Sequence, residues 1–303
     1  MASTIAPVEE RRNLGIGILL FAQLFFATLD SSAKYMAVAG LPTTEIVFVR
    51  YGVHVALTIA LFLPMQRGLF RSNNWKLEVL RGLSLLAVTL ANFFAMRFLP
   101  LTVTGALLFT MPLMVTALSG PMLGEKVGWR RWAAVGTGFI GILIIIRPGT
   151  EAFHPASLLC LAGALAAALY TIFTRKLAGV DSPATQQVYA GLIAVTCIAP
   201  FAFNGWVWPS DGPTWIAFCL AGVVGMIAHQ LNSIALRYAS PSVLAPFSYS
   251  ELLLLAMASW VVFNEPPDMW FYLGAPIIIG SGLYIWLRER QLKKPVQLAQ
   301  VVD

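Results

Sequence analysis

Charged side chains are few in this chain, and several occur as short pairs within long apolar runs. Asp30 and Lys34 are four residues apart, and Arg50 and His54 repeat that spacing in the next run. Residues four apart lie on one face of a helix, so each pair presents its groups in one direction. Within a membrane each ionisable group costs about 2.5–3.5 kcal/mol on insertion scales and faces the protein interior or water. We therefore expect both pairs to face the interior of a helical bundle and to contribute to a binding site.

Each pair also has a structural interpretation. Lys34 could extend to the membrane interface, with Asp30 as its ion-pair partner. Arg50 keeps its proton and needs a carboxylate, a carbonyl or a substrate anion. Asp30 is its predicted partner because both lie at similar depth, and that pair could join two helices instead of binding a solute. His54 could titrate near neutral pH or form hydrogen bonds in a core, and the residues alone leave these readings open.

Glu251 is the most isolated ionisable residue, since it lies deep in an apolar run and has no basic neighbour in sequence. Its carboxyl could bind a proton or a substrate amine, or it could stay neutral as a hydrogen-bonding group between helices. The other candidate substrate-binding residues are polar or aromatic side chains in separate apolar runs: Asn92, Tyr170, His229, Gln230 and Tyr249.

Residue patterns for other chemistries are missing from the sequence. Cys160, Cys197 and Cys219 all lie within apolar runs, and no CxxC motif or Cys/His cluster occurs. This spacing gives no support for a metal site or a disulfide. There is also no Walker motif and no glycine-rich dinucleotide loop. We therefore predict no cofactor, no bound metal, no ATP-driven transport and no enzymatic activity.

The composition indicates a membrane protein. Hydrophobic residues make up 58% of the chain and charged residues 11%, against about 45–50% and about 25% in an average soluble domain. These values exclude a disordered chain, a coiled coil and a nucleic-acid-binding arm. The net charge of +6 does not indicate nucleic acid, because the basic residues lie at the ends of apolar runs, as in membrane proteins. The lipid bilayer is the expected partner.

Apolar runs of the length of a membrane helix fill the chain between two polar tails. The runs are 14–36, 43–64, 77–97, 101–123, 130–147, 156–176, 183–203, 213–237, 241–263 and 268–288. We predict an all-α integral membrane protein with ten transmembrane helices. Residues 1–13 and 289–303 are the expected tails.

The distribution of basic residues predicts the orientation. With the N-terminus inside, the inner segments hold fifteen Lys and Arg residues, and the outer loops hold only Arg97 and Arg147. Basic residues are enriched on the cytoplasmic side of membrane proteins. We therefore expect both termini in the cytoplasm and a bacterial-type inner (plasma) membrane as the location.

Residues 97–125 align without a gap with residues 237–265, at an offset of 140. Phe109 aligns with Tyr249 and Glu125 with Glu265. The predicted repeats are 14–148 and 156–288. Five helices per repeat is an odd number, so the second repeat would enter the membrane from the opposite side. Such inverted repeats place a binding site near the midplane and support alternating access.

Several of these segments resemble the EamA repeat of the drug/metabolite transporter superfamily. They are Gly124-Glu125, Trp132, the glycine-rich 136–141, Arg147-Pro148-Gly149, Glu251 and Asn264-Glu265. The resemblance implies helices 1–4 and 6–9 around a central cavity, with helices 5 and 10 at the periphery. Lys34 and Arg50 match basic residues that are common in the first and second helices of the family. Two departures occur, because Asn264 replaces a usual glycine and Leu252 stands where a proline often follows the glutamate.

We predict a secondary transporter of small organic metabolites, namely amino acids or related amphiphilic solutes, with export favoured by the resemblance. The alternative is an importer of a vitamin or nucleoside-like metabolite such as riboflavin. A membrane enzyme and a membrane sensor are the rival classes. Ionisable groups far from either interface argue against the first, and the short C-terminal tail argues against the second. Protons and a second copy of the chain are the remaining candidate partners.

Overall fold

The computed structural model describes residues 12–123, 128–151, 153–177, 180–238, 244 and 247–292. These ranges contain eleven helices. They are α1 (Arg12–Val38), α2 (Thr43–Phe62), α3 (Trp75–Ala95), α4 (Leu101–Leu108), α5 (Met111–Leu123), α6 (Trp129–Ile146), α7 (Ala156–Leu177), α8 (Pro183–Ala202), α9 (Gly212–Tyr238), α10 (Ser250–Phe263) and α11 (Met269–Leu292). Most of both predicted tails and the Gly124-Glu125 motif lie outside the described residues.

The helices have the lengths and composition that a bilayer requires. Eight segments of the described chain are long and apolar enough to span a membrane, and two shorter apolar helices, Trp132–Ile146 and Ser250–Phe263, accompany them. Large apolar side chains such as Phe21, Leu83 and Trp260 are exposed on the outside of the bundle. A surface of this kind is stable where lipid tails replace water. The chain is thus a multi-pass, all-helical membrane protein over its described residues.

The predicted fourth helix, 101–123, is two helices instead of one. The chain leaves the helical conformation at Phe109, where ψ is 3°, and α5 begins at Met111. Pro112 follows directly, and proline has no N–H to donate to the carbonyl four residues earlier. The Thr110 hydroxyl donates to the Leu107 carbonyl oxygen at 2.6 Å and satisfies one group freed by the break.

Local sequence signals set several helix ends. The Asn74 side chain accepts a hydrogen bond from the Leu77 amide at the start of α3. Ser182 does the same for Thr185 at the start of α8, where Pro183 occupies a first-turn position that needs no N–H. These N-caps satisfy amides that no helical carbonyl can reach. Because such capping residues and prolines can be read from the sequence, most predicted helix boundaries agree with the structure within two residues.

Helices from the first part of the chain pack mainly on helices from the second part. α1 packs on α9, α3 on α7, α2 on α8 and α6 on α11. In the two halves, α1 corresponds to α7 and α3 corresponds to α9. Interchanging the halves therefore converts the pair α1–α9 into the pair α7–α3. The pairs α2–α8 and α6–α11 are their own counterparts. The packing of the bundle therefore looks the same when the two halves are interchanged.

Two close glycine contacts show this relationship at the level of residues. A Cβ atom added to Gly82 of α3 would lie 2.7 Å from Cδ1 of Ile193 in α8. A Cβ atom added to Gly222 of α9 would lie 2.3 Å from Cβ of Val53 in α2. Gly222 lies 140 residues after Gly82, and Val53 lies 140 residues before Ile193. The second contact is therefore the first one with the halves interchanged, at the offset of the sequence alignment. Each glycine lets two helices approach more closely than any side chain would allow.

Candidate functional site

Arg50 lies at the centre of a buried polar cluster where α2, α3 and α9 meet. One guanidinium nitrogen donates to Oγ1 of Thr89 at 2.9 Å, and another lies 3.4 Å from Nε2 of His229. The guanidinium carbon lies 4.5 Å from the ring centroid of Tyr51 and 5.5 Å from that of Phe93. Arginine can only donate, so the facing nitrogen of His229 must be an acceptor. Polar and aromatic contacts thus hold Arg50 in one orientation.

A second chain of hydrogen bonds connects α2 to α8 and α9. Nε2 of His54 lies 3.2 Å from Oε1 of Gln187, and the Gln187 amide nitrogen donates to Oε1 of Gln230 at 2.9 Å. The rings of His54 and His229 are 5.8 Å apart. His54 of α2 and the neighbouring residues His229 and Gln230 of α9 therefore belong to one cluster with Arg50.

The acidic residues of the site come from α1 and α10. Asp30 interacts with the Asn92 amide and electrostatically with Arg50. Glu251 interacts electrostatically with Asp30. Asp30 and Arg50, both described, form no direct ion pair, because the Arg50 guanidinium bonds to Thr89 and His229 instead. Asp30, Asn92 and Glu251 thus complete the cluster with the groups described above.

Four atoms of this cluster are buried without a hydrogen-bond partner among the described residues. They are Oε1 of Gln23, Nε of Arg50, Nδ1 of His54 and Oδ1 of Asn92. Each of these residues is at most 5% exposed. A buried polar atom without a partner costs about 1–3 kcal/mol, so native proteins rarely retain several together. Their clustering is typical of a site that receives a polar ligand.

Flat side chains accompany the polar groups. The ring of Phe26 on α1 lies edge-on to His229, with the centroids 5.0 Å apart. Tyr51 donates or accepts a hydrogen bond with Thr89 at 2.8 Å, which fixes its ring beside Arg50. Aromatic rings and a guanidinium plane can stack on a planar ligand. The cluster therefore combines surfaces for a flat ring with groups for hydrogen bonding.

Three predicted residues lie away from this cluster, and Lys34 is the first of them. Its ammonium group forms an ion pair with Glu265 in the α10–α11 connection and donates to the Leu99 carbonyl oxygen at 3.2 Å. Lys34 thus pairs with Glu265 instead of with Asp30, one turn earlier on α1. The reason is its position near the end of α1, where the long side chain reaches two connections of the bundle.

Tyr170 belongs to a separate polar cluster between α3, α7 and α8. Its hydroxyl accepts a hydrogen bond from Arg81 at 3.0 Å. Arg81 also donates to Thr174 at 2.9 Å and to the Gln186 carbonyl oxygen at 2.8 Å, and it lies 3.7 Å from the Glu78 carboxylate. The position of Tyr170 is therefore explained by Arg81, which the sequence reasoning left without a role.

Tyr249 points away from Glu251, two residues later. Its ring packs against Phe109, with the centroids 5.3 Å apart, and its hydroxyl lies against Gly282 of α11. Residues two apart on a helix point to different sides, so Tyr249 and Glu251 do not share a face. Phe109 and Tyr249 are the residues that the repeat alignment pairs, and the structure places them in contact.

The sequence reasoning missed Thr89 and Gln187, which join the cluster, and it gave Gln23 no function. A signal was present for Gln187, because Gln186-Gln187 is a polar pair within an apolar helix. Thr89 carried no such signal, since a threonine in a membrane helix commonly bonds to its own backbone, as Thr89 also does with Leu85 at 3.1 Å. Its second role depends on the position of Arg50 across the helix interface.

The bundle is connected across its halves at both ends. At one end, Ser72 and the Asn73 amide donate to the two carboxylate oxygens of Asp181 at 2.6 Å and 2.8 Å. At the other end, the Val207 amide donates to Glu45 at 2.9 Å, and Lys34 pairs with Glu265. Partial burial of Asp181 raises its pKa, but the hydrogen bonds from Asn73 and Ser72 outweigh this effect and hold the pKa below its usual range.

A cavity of about 540 Å³ lies between α1, α9 and α10. Its described lining is mostly apolar and includes Thr28, Ser31 and Leu220 but none of the ten predicted site residues. Exposed side chains such as Leu24 and Leu220 lie on this side of the bundle. The cavity is thus a groove on the apolar flank of the bundle, and its lining is separate from the polar cluster.

Known proteins resemble this chain over nearly its whole length. A model of the EamA-like transporter family matches residues 13–147 and 154–287. The chain is 34% identical over 274 residues to a riboflavin transporter of Vibrio cholerae, covering 88% of this chain and 91% of that protein. It is 26% identical over 279 residues to an S-adenosylmethionine uptake transporter of Rickettsia bellii, covering 92% of this chain and 95% of that protein.

A solved crystal structure resembles the fold with a TM-score of 0.66 at 20% identity, covering 91% of this chain and 98% of that one. At this identity the likeness concerns the fold alone. The family match, in contrast, includes both halves of the chain and agrees with the apolar helices described above. The chain therefore belongs to the EamA-like transporter family and is a multi-pass membrane transporter of small molecules.

Proposed function

We propose that this chain is a secondary transporter that takes up a polar heteroaromatic metabolite of the riboflavin class. The observation that carries the proposal is the buried cluster around Arg50, where unpartnered hydrogen-bonding atoms lie beside flat side chains. Riboflavin combines a planar ring system with a hydroxylated chain, and both parts match this mixture. Similarity to the Vibrio cholerae riboflavin transporter supports the same class.

The proposed mechanism is alternating access between two inverted five-helix repeats, residues 14–148 and 156–288. Supporting this, the packing is unchanged on interchange of the halves, and cross-half contacts such as Asp181–Ser72 and Lys34–Glu265 close both ends. In this mechanism, a solute enters or leaves the cluster when one of these sets of contacts separates. Opening one end at a time would carry the solute across.

The proposed orientation has both termini in the cytoplasm. The Lys/Arg distribution supports it, and it places the Asp181 contacts at the inner end and the Lys34 pair at the outer end. In a background without the native cysteines, a cysteine in place of Gln66 should react with an impermeant maleimide only after the membrane is opened. A cysteine in place of Ser210 should react in intact cells. The reverse pattern would refute the orientation.

A second candidate is uptake of S-adenosylmethionine. The observation that favours it is the pair of carboxyls, Asp30 and Glu251, which interact electrostatically in the cluster. A sulfonium or ammonium group between them would compensate their charge. Similarity to the Rickettsia bellii protein supports this class as well. Export of amino acids, the first interpretation of the sequence, stays a competing prediction.

Uptake into proteoliposomes separates these candidates. We expect saturable riboflavin uptake by the wild-type protein, stimulated by an inward proton gradient, and little uptake of amino acids. The Arg50→Gln protein is the matched negative control and should transport poorly. It keeps a polar side chain but loses the cation at the centre of the cluster. Uptake of S-adenosylmethionine without riboflavin would favour the second candidate. Transport of amino acids alone would refute both.

A further inference from the structure

The unpartnered atoms of the central cluster are mostly hydrogen-bond acceptors. The Asn92 side chain interacts with the Asp30 carboxyl, which only accepts when ionised, and the Asn92 amide oxygen Oδ1 is buried without a partner among the described residues. The side chain of Gln23 likewise buries its oxygen Oε1 without a donor among the described residues.

His54 supplies a third acceptor. Its Nε2 lies 3.2 Å from Oε1 of Gln187, and a carbonyl oxygen can only accept. The ring proton must therefore be on Nε2, and Nδ1 of the neutral ring is an acceptor. This nitrogen is buried and has no partner in the described part of the chain. Nε of Arg50 is a buried donor of the cluster that also lacks a partner among the described residues.

The acceptors come from α1, α2 and α3, and each lies one helical turn from a residue that contacts the cluster. Asn92 is one turn after Thr89, which bonds to Arg50, and His54 is one turn after Arg50. Gln23 is one turn before Phe26, whose ring touches His229, and His229 in turn contacts Arg50. A ligand in this region therefore meets acceptors on α1, α2 and α3.

We propose that Gln23, His54 and Asn92 bind the hydroxyl groups of a polyol or ribosyl chain on the transported solute. The ring system of a flavin carries a single imide N–H, which can serve one acceptor only. An ammonium group concentrates its donors at one point, whereas these acceptors lie on three helices. A hydroxylated chain offers separate O–H donors along its length, and each hydroxyl can also accept from Arg50. The inference rests on the proposed function and specifies which part of the solute the site recognises.

The test compares solutes with and without the hydroxylated chain. Lumiflavin carries a methyl group in place of the ribityl chain of riboflavin. In the same way, 9-methyladenine carries a methyl group in place of the ribose of adenosine. Binding to the purified protein in nanodiscs is measured by quenching of flavin fluorescence and, for the adenine pair, by calorimetry. We expect the wild-type protein to bind the chain-bearing member of a pair at least about tenfold more tightly.

Variants assign the preference to these residues. Gln23→Met and His54→Phe remove one acceptor each and should weaken riboflavin binding about fivefold to tenfold, with lumiflavin binding unchanged. Gln23→Glu keeps an acceptor and should retain most of the preference. Thr104→Val is the matched control, because Thr104 is fully buried but its hydroxyl bonds to Leu101 within α4.

Each result has a defined meaning. Equal binding of riboflavin and lumiflavin by the wild-type protein would overturn the inference and leave the proposed function intact, since the ring alone would then be recognised. If Gln23→Met and His54→Phe weaken the binding of riboflavin and lumiflavin equally, these residues only support the fold, and the inference is wrong. Binding of neither flavin would refute the riboflavin proposal, and the adenosine pair would then decide whether hydroxyl recognition holds for a nucleoside. If adenosine binds no more tightly than 9-methyladenine, the inference is overturned.

Discussion

Lys34 and Glu265 are 231 residues apart in sequence and form an ion pair that joins α1 to the α10–α11 connection. The Lys34 side chain is 2% exposed and that of Glu265 is 38% exposed. Lys34 also donates to Leu99 and lies 5.0 Å from the ring centroid of Phe263. One buried ammonium group therefore connects three parts of the bundle at the proposed outer end.

This arrangement predicts unequal effects of removing either partner. Glu265→Gln leaves a buried ammonium group without its counter-ion, and we expect a loss of about 1–3 kcal/mol, reduced because Glu265 is partly in solvent. Lys34→Met removes the buried charge and keeps the apolar stem, so its loss should be smaller. Thermal unfolding in nanodiscs measures both. A larger loss for Lys34→Met would contradict the assignment of Glu265 as the essential partner.

Arg50 and Asp30 should show weak energetic coupling, because they interact without direct contact. Arg50→Gln and Asp30→Asn should each reduce transport severely. The double variant should recover part of the loss, with a coupling of about 0.5–1.5 kcal/mol. Thr89→Val serves as the comparison, since it removes a hydrogen bond to Arg50 without changing any charge. Additive losses in the double variant would show that the two charges act independently.

Glu251 is expected to bind the coupling proton or the cationic group of the solute. Glu251→Gln keeps the shape of the side chain and removes its charge. In the first case the variant should lose gradient-driven accumulation but keep exchange of labelled for unlabelled solute. In the second case it should lose affinity for cationic solutes under every condition. Wild-type rates with an unchanged pH dependence would leave only a structural role for Glu251.

The close helix contacts predict a graded response to glycine substitution. In Gly222→Ala, the new Cβ would lie 2.3 Å from Cβ of Val53 and 2.9 Å from the Arg50 carbonyl oxygen. Neither atom can move without its helix, so we expect a loss of about 2–4 kcal/mol. Gly82→Ala should cost less, because the nearest atom is the flexible end of Ile193.

Gly52→Ala is the matched control for these two variants. Apart from its own helical turn, none of the described residues has an atom within 4 Å of the Cβ position at Gly52, which is also in a helix. Alanine favours a helix by up to about 1 kcal/mol over glycine, so this variant should be neutral or slightly more stable. Chemical or thermal unfolding gives the order of the three. Similar stability of Gly222→Ala and Gly52→Ala would contradict the packing of α9 on α2.

The hydrogen bonds of Asp181 predict that part of the protein's stability is lost at acidic pH. They hold the folded pKa of Asp181 below the ordinary aspartate value of 3.8, so the carboxylate favours the folded state above that pH. The contribution is lost as the pH falls from about 3.8 through the folded pKa, because protons then bind the unfolded chain more readily. Asp181→Asn should be less stable than wild type near neutral pH, and the difference should shrink on acidification. Unfolding temperatures between about pH 6 and about pH 3 provide the measurement. A constant difference would exclude this role.

The sequence determined that the described chain is helical and where most of its helices begin and end, because an apolar run of membrane length can bury its backbone polar groups only as a helix. It also revealed the repeat and its offset, since Phe109 and Tyr249 align and then meet in the structure. The break before Pro112 could have been anticipated from the missing N–H of proline. Local covalent chemistry and hydropathy were sufficient for these features.

Tertiary structure alone decided which ionisable groups meet. The spacing of Asp30 and Lys34 allows a pair on one helix, yet Lys34 reaches Glu265 on a distant connection. Arg50 takes Thr89 and His229 as partners, which no spacing in sequence could indicate. Periodicity specifies the face of a helix on which a side chain lies. The packing of that face against another helix then determines its partner, because hydrogen bonds and ion pairs depend on distances of a few ångströms between residues far apart in the chain.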